Sequence, residues 1–417
     1  MRLEKLLVYA DFDWLKEPVC IGTLFQEFLR GNPKYSFEFS KEWLSDYNAI
    51  TLSAELNNFV GRQYVQPPLD FFGCLNDSLP DRWGRLLLTR REQIQAQKES
   101  RPVRTLSPFD YLVGIEDQTR LGGFRFKTSE TSEFLNIEPH LPVPPMTSIR
   151  ELADAAANVE RSELKKTLPE EKWLAQLIEP GSSLGGARPK ANVRDIDGEL
   201  WIAKFASVND LTDIGAWEHL AYVLAEKAGI KTAPSKVLLC GQHHIFLVKR
   251  FDRKKGRRIH FASAMTLLGL KDGDNASSGF GYLDIVDKIV QLCVNAQENL
   301  EELYRRVAFS ICIGNSDDHF RNHGFLLTSK GWELSPAFDM NPTMNRSQSL
   351  LISDSSNTAD LNVLLEAADD YMLTASKAQE IVDEVLVAMK DWQKEAMKLN
   401  LSARDISMFE ERFITKL

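Results

Sequence analysis

Short runs of alternating apolar and polar residues fill much of the first 140 positions. Lys5–Tyr9 and Tyr35–Phe39 read as strands, the second alternating aromatic with polar side chains. Leu79-Pro80-Asp81 opens a helix, with Pro80 suited to its first position and Trp83, Leu86, Leu87 and Leu88 on an apolar face. Ser107-Pro108, an N-cap followed by proline, starts a second helix that ends near Gly114, and Gly122–Phe126 reads as a closing strand. Pro139, Pro142, Pro144 and Pro145 then crowd a stretch that can continue neither a helix nor a central strand, so a domain boundary is placed there. Beyond it the pattern predicts helices at Ile149–Val159, Glu170–Ile178 and Ile214–Lys227, the last stopped by Gly229, and strands at Leu200–Phe205 and His244–Arg250. From about residue 260 the periodicity is mostly helical, broken by one hairpin: Gly324–Thr328, the turn Ser329-Lys330-Gly331, and Trp332–Leu334. The expected fold is α+β in three segments, 1–145, 146–250 and 251–417.

Composition narrows the class. A net charge of −9 argues against a broad basic surface for nucleic acid, though not against a DNA-binding partner. The basic run from Lys249 to Arg258 could be a nucleic-acid patch; Lys254-Lys255-Gly256, joining two strand-like segments, points instead to a solvated turn. The five cysteines are scattered, odd in number and without a CxxC pair, and read as reduced, mostly buried thiols. The opening MRLEKLLVYADFDW lacks the long apolar core of a secretory signal, and no apolar stretch approaches the ~20 residues that span a bilayer. A cytoplasmic protein is expected.

The most informative segment is Ile313-Gly314-Asn315-Ser316-Asp317-Asp318-His319-Phe320-Arg321-Asn322-His323, set between the apolar run Val307–Ile313 and the hairpin. Asp317 and Asn322 have the separation of the aspartate and asparagine in a protein-kinase catalytic loop. There the aspartate orients the attacking hydroxyl and takes its proton, while the asparagine reaches a magnesium ion on the phosphates. Directly after the hairpin, Phe338-Asp339-Met340 puts Asp339 where a DFG-type motif has its metal-binding aspartate. The plain alternative is that Asp317 and Asp318 only cap a turn. Upstream, Gly181-Ser182-Ser183-Leu184-Gly185-Gly186-Ala187-Arg188-Pro189-Lys190 could turn its N–H groups toward phosphate, although it lacks the Walker spacing and could equally be an ordinary connection. Lys204 is a single lysine in the apolar strand Trp201–Phe205, and Glu218 lies in the helix that follows. A strand lysine paired to a helix glutamate is how kinases hold the α- and β-phosphates, whereas a lysine at a sheet edge simply reaches water. A competing chemistry is metal-dependent hydrolysis, because His319 and His323 at i and i+4 would share one face of a helix; Asn322 and Gly324 favour a loop there.

Taken together, these segments resemble the HipA family, the kinase toxins of bacterial type II toxin–antitoxin modules, over nearly the whole chain. The resemblance is carried by Phe71-Phe72, Asn76-Asp77-Ser78-Leu79-Pro80-Asp81 and Ser107–Leu112 in the first part. It continues through Gly186-Ala187-Arg188-Pro189-Lys190, Val248-Lys249-Arg250-Phe251-Asp252-Arg253, the run Ile313–Asn322 and Pro336–Asp339. It implies a two-lobed kinase-like fold behind an N-terminal mixed domain, with ATP and Mg²⁺ as cofactors. Asp317 would be the catalytic base, Asn322 and Asp339 the magnesium ligands, Lys204 the phosphate-binding lysine and Glu218 its support. Gly185, Gly186, Ala187, Lys190 and His319 would join the ATP site, with adenine on the main chain around Lys249 and Phe251. Family members often have an acidic residue where Lys249 stands, so no side-chain role is assigned to it. Ser183 matches a serine that the family autophosphorylates, and Ser182 beside it is the fallback. The family further implies a small helix-turn-helix HipB-like antitoxin, contact with DNA only through that partner, no membrane, and a protein substrate such as an aminoacyl-tRNA synthetase. A catalytically silent corepressor subunit is the alternative from another functional class.

Overall fold

The computed structural model describes residues 4–136, 143–178, 188–345 and 347–417, which form two compact units. The first comprises Met1–Asn209 with Lys249–Ala262, and the second Asp210–Val248 with Ser263–Leu417. The proline stretch chosen as a boundary lies largely outside the described residues.

In the first unit an antiparallel sheet is ordered Arg62–Tyr64, Asn32–Phe39, Val19–Leu29, Lys5–Ala10, Phe124–Lys127. The alternation read in Lys5–Tyr9 is the alternation of the sheet's faces: Leu6, Val8 and Ala10 are buried, together with Phe12, Leu24, Phe37, Phe72, Phe124 and Phe126. The long strand Val19–Leu29 escapes a sequence reading because Gly22, Thr23, Gln26 and Glu27 break its apolar run. The helix Pro108–Gly114 starts where Ser107-Pro108 predicts, with a capping box between Ser107 and Asp110. The helix expected from Pro80 begins later, at Arg82, because Asp81 is its N-cap and accepts the Gly84 N–H at 2.7 Å; Pro80 stands outside it. Helices Ile149–Leu164 and Glu171–Ile178 precede the hairpin Lys190–Arg194/Leu200–Lys204, in which Lys190 lies directly across from Lys204.

The basic run is a solvated turn at its tip, as expected, and buried at its ends. Lys254 and Lys255 do form an exposed tip between the short strands Arg253–Lys254 and Arg257–Arg258, with Lys255 and Gly256 in the left-handed region. Arg250 and Arg258, however, are buried, and Asp252 holds Arg250 at 2.6 Å. Burial alone would raise the Asp252 pKa, but Arg250 and Arg253 outweigh it and hold the carboxylate well below its ordinary range. A carboxylate depressed in this way contributes its stability in full above its unfolded pKa of about 3.9 and loses it as pH falls through the folded value. Acid unfolding followed by tryptophan fluorescence should therefore steepen below about pH 4. In Asp252→Asn the slope should be shallower by about one proton.

In the second unit the helix Ile214–Lys227 ends at Gly229, whose φ is +79°, as the sequence predicts. Gly215 lies so close to the strand His243–Lys249 that a Cβ there would come within 2.1 Å of the His244 carbonyl oxygen. The helix Ala296–Ile313 is buried continuously from Leu303 to Ile313, except at Arg305, and packs against the helix Ala375–Met389. It leads to the expected hairpin, Gly324–Thr328 with Gly331–Leu334. All five cysteines are free, but only Cys74 and Cys312 are fully buried. Among the described residues no helix is long and apolar enough to cross a membrane.

Candidate active site

The buried helix Ala296–Ile313 stops at Gly314, which takes the left-handed conformation at φ +74°. A Cβ at Gly314 would lie 2.7 Å from the Arg412 Nε, so a side chain there would strain the backbone and push the Arg412 side chain aside. From there the chain runs irregularly to a single 3₁₀ turn, Phe320–Asn322, and enters the strand Gly324–Thr328. Asn315, Ser316, Asp318, Asn322 and His323 are buried along this loop, whereas Asp317 is exposed.

The two adjacent aspartates therefore have opposite duties. Asp318 is the internal anchor. Its Oδ2 accepts the Tyr282 hydroxyl at 2.8 Å and the Ser310 hydroxyl at 3.2 Å, and its Oδ1 lies 3.1 Å from His323 Nε2. Burial would raise its pKa, but His323 and Tyr282 reverse the direction and keep it below the ordinary value. Asp317, turned outward, contributes only its main-chain oxygen, which accepts the Asn322 Nδ2–H at 3.2 Å. That bond uses the amide nitrogen of Asn322 and leaves its oxygen for another partner. The anchoring by Tyr282 and Ser310 was not read from the sequence: nothing in an Asp-Asp pair says which member faces inward.

The return segment is tied to the loop at both ends. Ser335 N–H donates to the Gly324 carbonyl at 2.8 Å, and Thr343 N–H to the Gly314 carbonyl at 2.9 Å. The Thr343 hydroxyl also meets the Ser316 hydroxyl, and Ala337 N–H is held by the Lys231 carbonyl at 2.8 Å. Asp339 lies between these ties, half-buried, with φ +57°. A non-glycine residue in the left-handed region is costly, and aspartate is among the few that take it readily; such strain clusters at functional sites. So Asp317, Asn322 and Asp339 all belong to one clamped loop pair of the second unit.

The remaining residues divide between the units. Lys204 ends its strand in the first unit, and Glu218 is buried in the helix of the second. Lys190 is buried, and its Nζ is 2.8 Å from Asp81 Oδ2, both side chains 2% exposed, so the structure gives it an ion-pair role that the loop motif did not suggest. Lys249 extends its side chain to Glu199 at 3.3 Å, and the Phe251 ring lies 6.1 Å from Phe261. His319 precedes the 3₁₀ turn, and among the described residues its Nδ1 has no hydrogen-bond partner. His319 and His323 do not share a helical face, and His323 is turned onto Asp318, which removes the arrangement the hydrolase reading needs. Ser182, Ser183, Gly185, Gly186 and Ala187 lie outside the described residues.

The donor set suits a hard cation. Mg²⁺ takes oxygen ligands and is usually held by one or two carboxylates together with substrate phosphates. Asp339 and the Asn322 amide oxygen are oxygen donors of that kind and would be the groups to hold such an ion, which when bound would neutralise phosphate charge.

The family model described as the HipA-like C-terminal domain matches residues 182–393. Among curated proteins, the chain is 26% identical over 329 residues to the provisionally named kinase Y4mE of Sinorhizobium fredii, covering 74% of this chain and 72% of that one. It is 23% identical over 259 residues to the serine/threonine-protein kinase toxin HipA of Shewanella oneidensis, covering 55% and 59%. Among solved structures, it aligns with a chain of the Shewanella oneidensis toxin–antitoxin complex of HipA, HipB and operator DNA. The TM-score is 0.64 at 17% identity, over 98% of this chain and 94% of that chain, a likeness of fold. Since the matched residues make up just over half of its length, the chain belongs to the HipA-like family.

Proposed function

We propose that the chain is an ATP- and Mg²⁺-dependent serine/threonine protein kinase and the toxin of a type II toxin–antitoxin module. The observation that carries this reading is the division of labour in the Asp317-Asp318 pair. One carboxylate fixes the loop, and the other is held outward beside Asn322, with Asp339 on the clamped return segment. An exposed aspartate alone is ordinary; the reading is supported by its place beside Asn322 on a loop that Asp318 fixes from within. In this reading Asp317 accepts the proton of the attacking hydroxyl, and Asn322 and Asp339 hold the metal. Lys204, supported by Glu218, and the main chain at Lys249–Phe251 hold the nucleotide, with His319 and the loop at Gly185, Gly186 and Ala187 beside it. Lys190 would fix the end of that loop through Asp81. The three sequence segments would correspond to an N-terminal module, a nucleotide-loop segment and a catalytic segment. A HipB-like antitoxin is proposed as partner, on the strength of a fold likeness to a HipA solved with HipB and operator DNA. A protein substrate of the aminoacyl-tRNA synthetase class remains part of the proposal.

Ser183 is proposed as an autophosphorylation site. A phosphate there adds about −1.5 to −2 charges, which would repel the phosphates of ATP. Mass spectrometry after incubation with Mg·ATP should find phosphate on Ser183, with nucleotide affinity falling as it accumulates and Ser183→Ala keeping full affinity. Equal affinity of modified and unmodified protein would remove the switch, and modification at Ser182 alone would move it by one residue.

A further inference from the structure

The segment that follows Lys249 is held by one turn of the N-terminal region. Arg250 donates to the Thr119 carbonyl at 2.6 Å and to the Arg120 carbonyl at 3.1 Å. Arg253 donates to the carbonyls of Gln118 at 3.0 Å, Gly122 at 3.3 Å and Arg120 at 2.5 Å. Arg258 donates to the Asp117 carbonyl at 2.8 Å. Three arginines thus occupy five main-chain carbonyls of the turn 117–122. In return, Gly122 N–H donates to Asp252 Oδ2 at 2.9 Å, and the same carboxylate binds Arg250 and Arg253, each at 2.6 Å.

Main-chain acceptors make the turn largely a mould: its shape fixes where Arg250 and Arg253 go, while Arg258 is held by the Asp117 carboxylate as well, at 2.8 Å. The Arg250 side chain is fully buried and that of Asp252 1% exposed, so the set is complete or costly, because a buried guanidinium left without its carboxylate is strongly destabilising. Phe251 lies between the two anchored residues. Its main chain is fixed on both sides, with Arg250 N–H on the Leu200 carbonyl at 2.9 Å and Ile259 N–H on the Asp252 carbonyl at 3.0 Å.

We propose that the turn 117–122 is a positioning element for the nucleotide-binding main chain at Lys249–Phe251, so that adenine affinity depends on contacts that never touch the nucleotide. This rests on the kinase reading above. Its consequence is that the N-terminal segment is a working part of the nucleotide site. Asp252, Arg250 and Arg253 act through the hinge and are positioning residues.

Two variants disturb the mould in different ways. Asp252→Asn keeps the side-chain shape and weakens the charge. Gly122→Ala leaves every charge in place, but φ is +75° there and a Cβ would approach the Phe261 nitrogen to 3.1 Å, so the turn must shift. Glu92→Gln is the control, since it loosens the part-buried pair with Arg101 in the same unit without touching the turn. Steady-state kinetics with the full chain, paired with thermal melts, should show KM for ATP raised about tenfold in both test variants with kcat little changed, the pattern of lost uniform binding. Discrimination of ATP over GTP should fall with it, while Glu92→Gln lowers the melting temperature and leaves KM alone. Folded variants with wild-type KM overturn the inference and leave the kinase reading standing. Wild-type chain that binds no adenine nucleotide overturns both. If Gly122→Ala does not fold, Asp252→Asn decides the matter alone.

Discussion

Replacing Asp317 by asparagine is expected to slow phosphoryl transfer by about 10²–10⁴-fold, the range of a positioned general base. The fold and the affinity for Mg·ATP should stay close to wild type. Asp317 is exposed, and its side chain takes no part in the bonds that hold the loop; only its main-chain oxygen does. Surface substitutions of that kind usually change stability by less than about 0.5 kcal/mol. Its neighbour is the internal control. Asp318→Asn disturbs the contacts to Tyr282, Ser310 and His323 and should lower the melting temperature along with activity. Single-turnover rates, calorimetric binding and thermal melts on the two variants separate chemistry from architecture. Near-wild-type transfer in Asp317→Asn would end its assignment as the base.

The second large effect is expected at Asp339. Alanine is a poor probe here, because φ +57° would strain it and confuse a backbone effect with a lost ligand. Asparagine tolerates the left-handed region and keeps the volume while removing the charge. Asp339→Asn should weaken magnesium-dependent nucleotide binding by at least the ~10–100-fold that follows loss of a residue supporting a metal ligand. Calorimetry with and without Mg²⁺ is the check: the magnesium-dependent gain in ATP affinity should shrink in the variant, and an unchanged gain would place the metal elsewhere.

Much of this was legible in the sequence because the signals are local. The period-two run at Lys5–Tyr9, the cap at Ser107-Pro108 and the hairpin around Ser329-Lys330-Gly331 each depend on neighbouring residues, and each forms. The Asp317–Asn322 spacing was readable for the same reason. Contacts made at long range were not. Asp318 meets Tyr282 across 36 positions and Lys190 meets Asp81 across 109, distances at which one sequence carries no pairing signal. In the run Lys249–Arg258 the solvated turn at Lys254-Lys255-Gly256 was legible, but a string of charges does not reveal which of them find buried carbonyls, and Arg250 and Arg258 do. The start of the helix at Arg82 shows a smaller version of the problem. Pro80 and Asp81 both suit a helix N-terminus, and the side-chain acceptor at Asp81 decided the register.

Transfer of phosphate from γ-labelled ATP is the most direct test of the central claim. The purified full chain is incubated with Mg²⁺, labelled ATP and a cell lysate, beside Asp317→Asn, and the labelled proteins are mapped by mass spectrometry. A serine/threonine kinase gives label on serine or threonine hydroxyls of the chain itself and of a protein in the lysate, dependent on Mg²⁺ and lost in Asp317→Asn. Release of the label only as free phosphate, or label transferred equally well by the Asp317→Asn variant, would contradict the account.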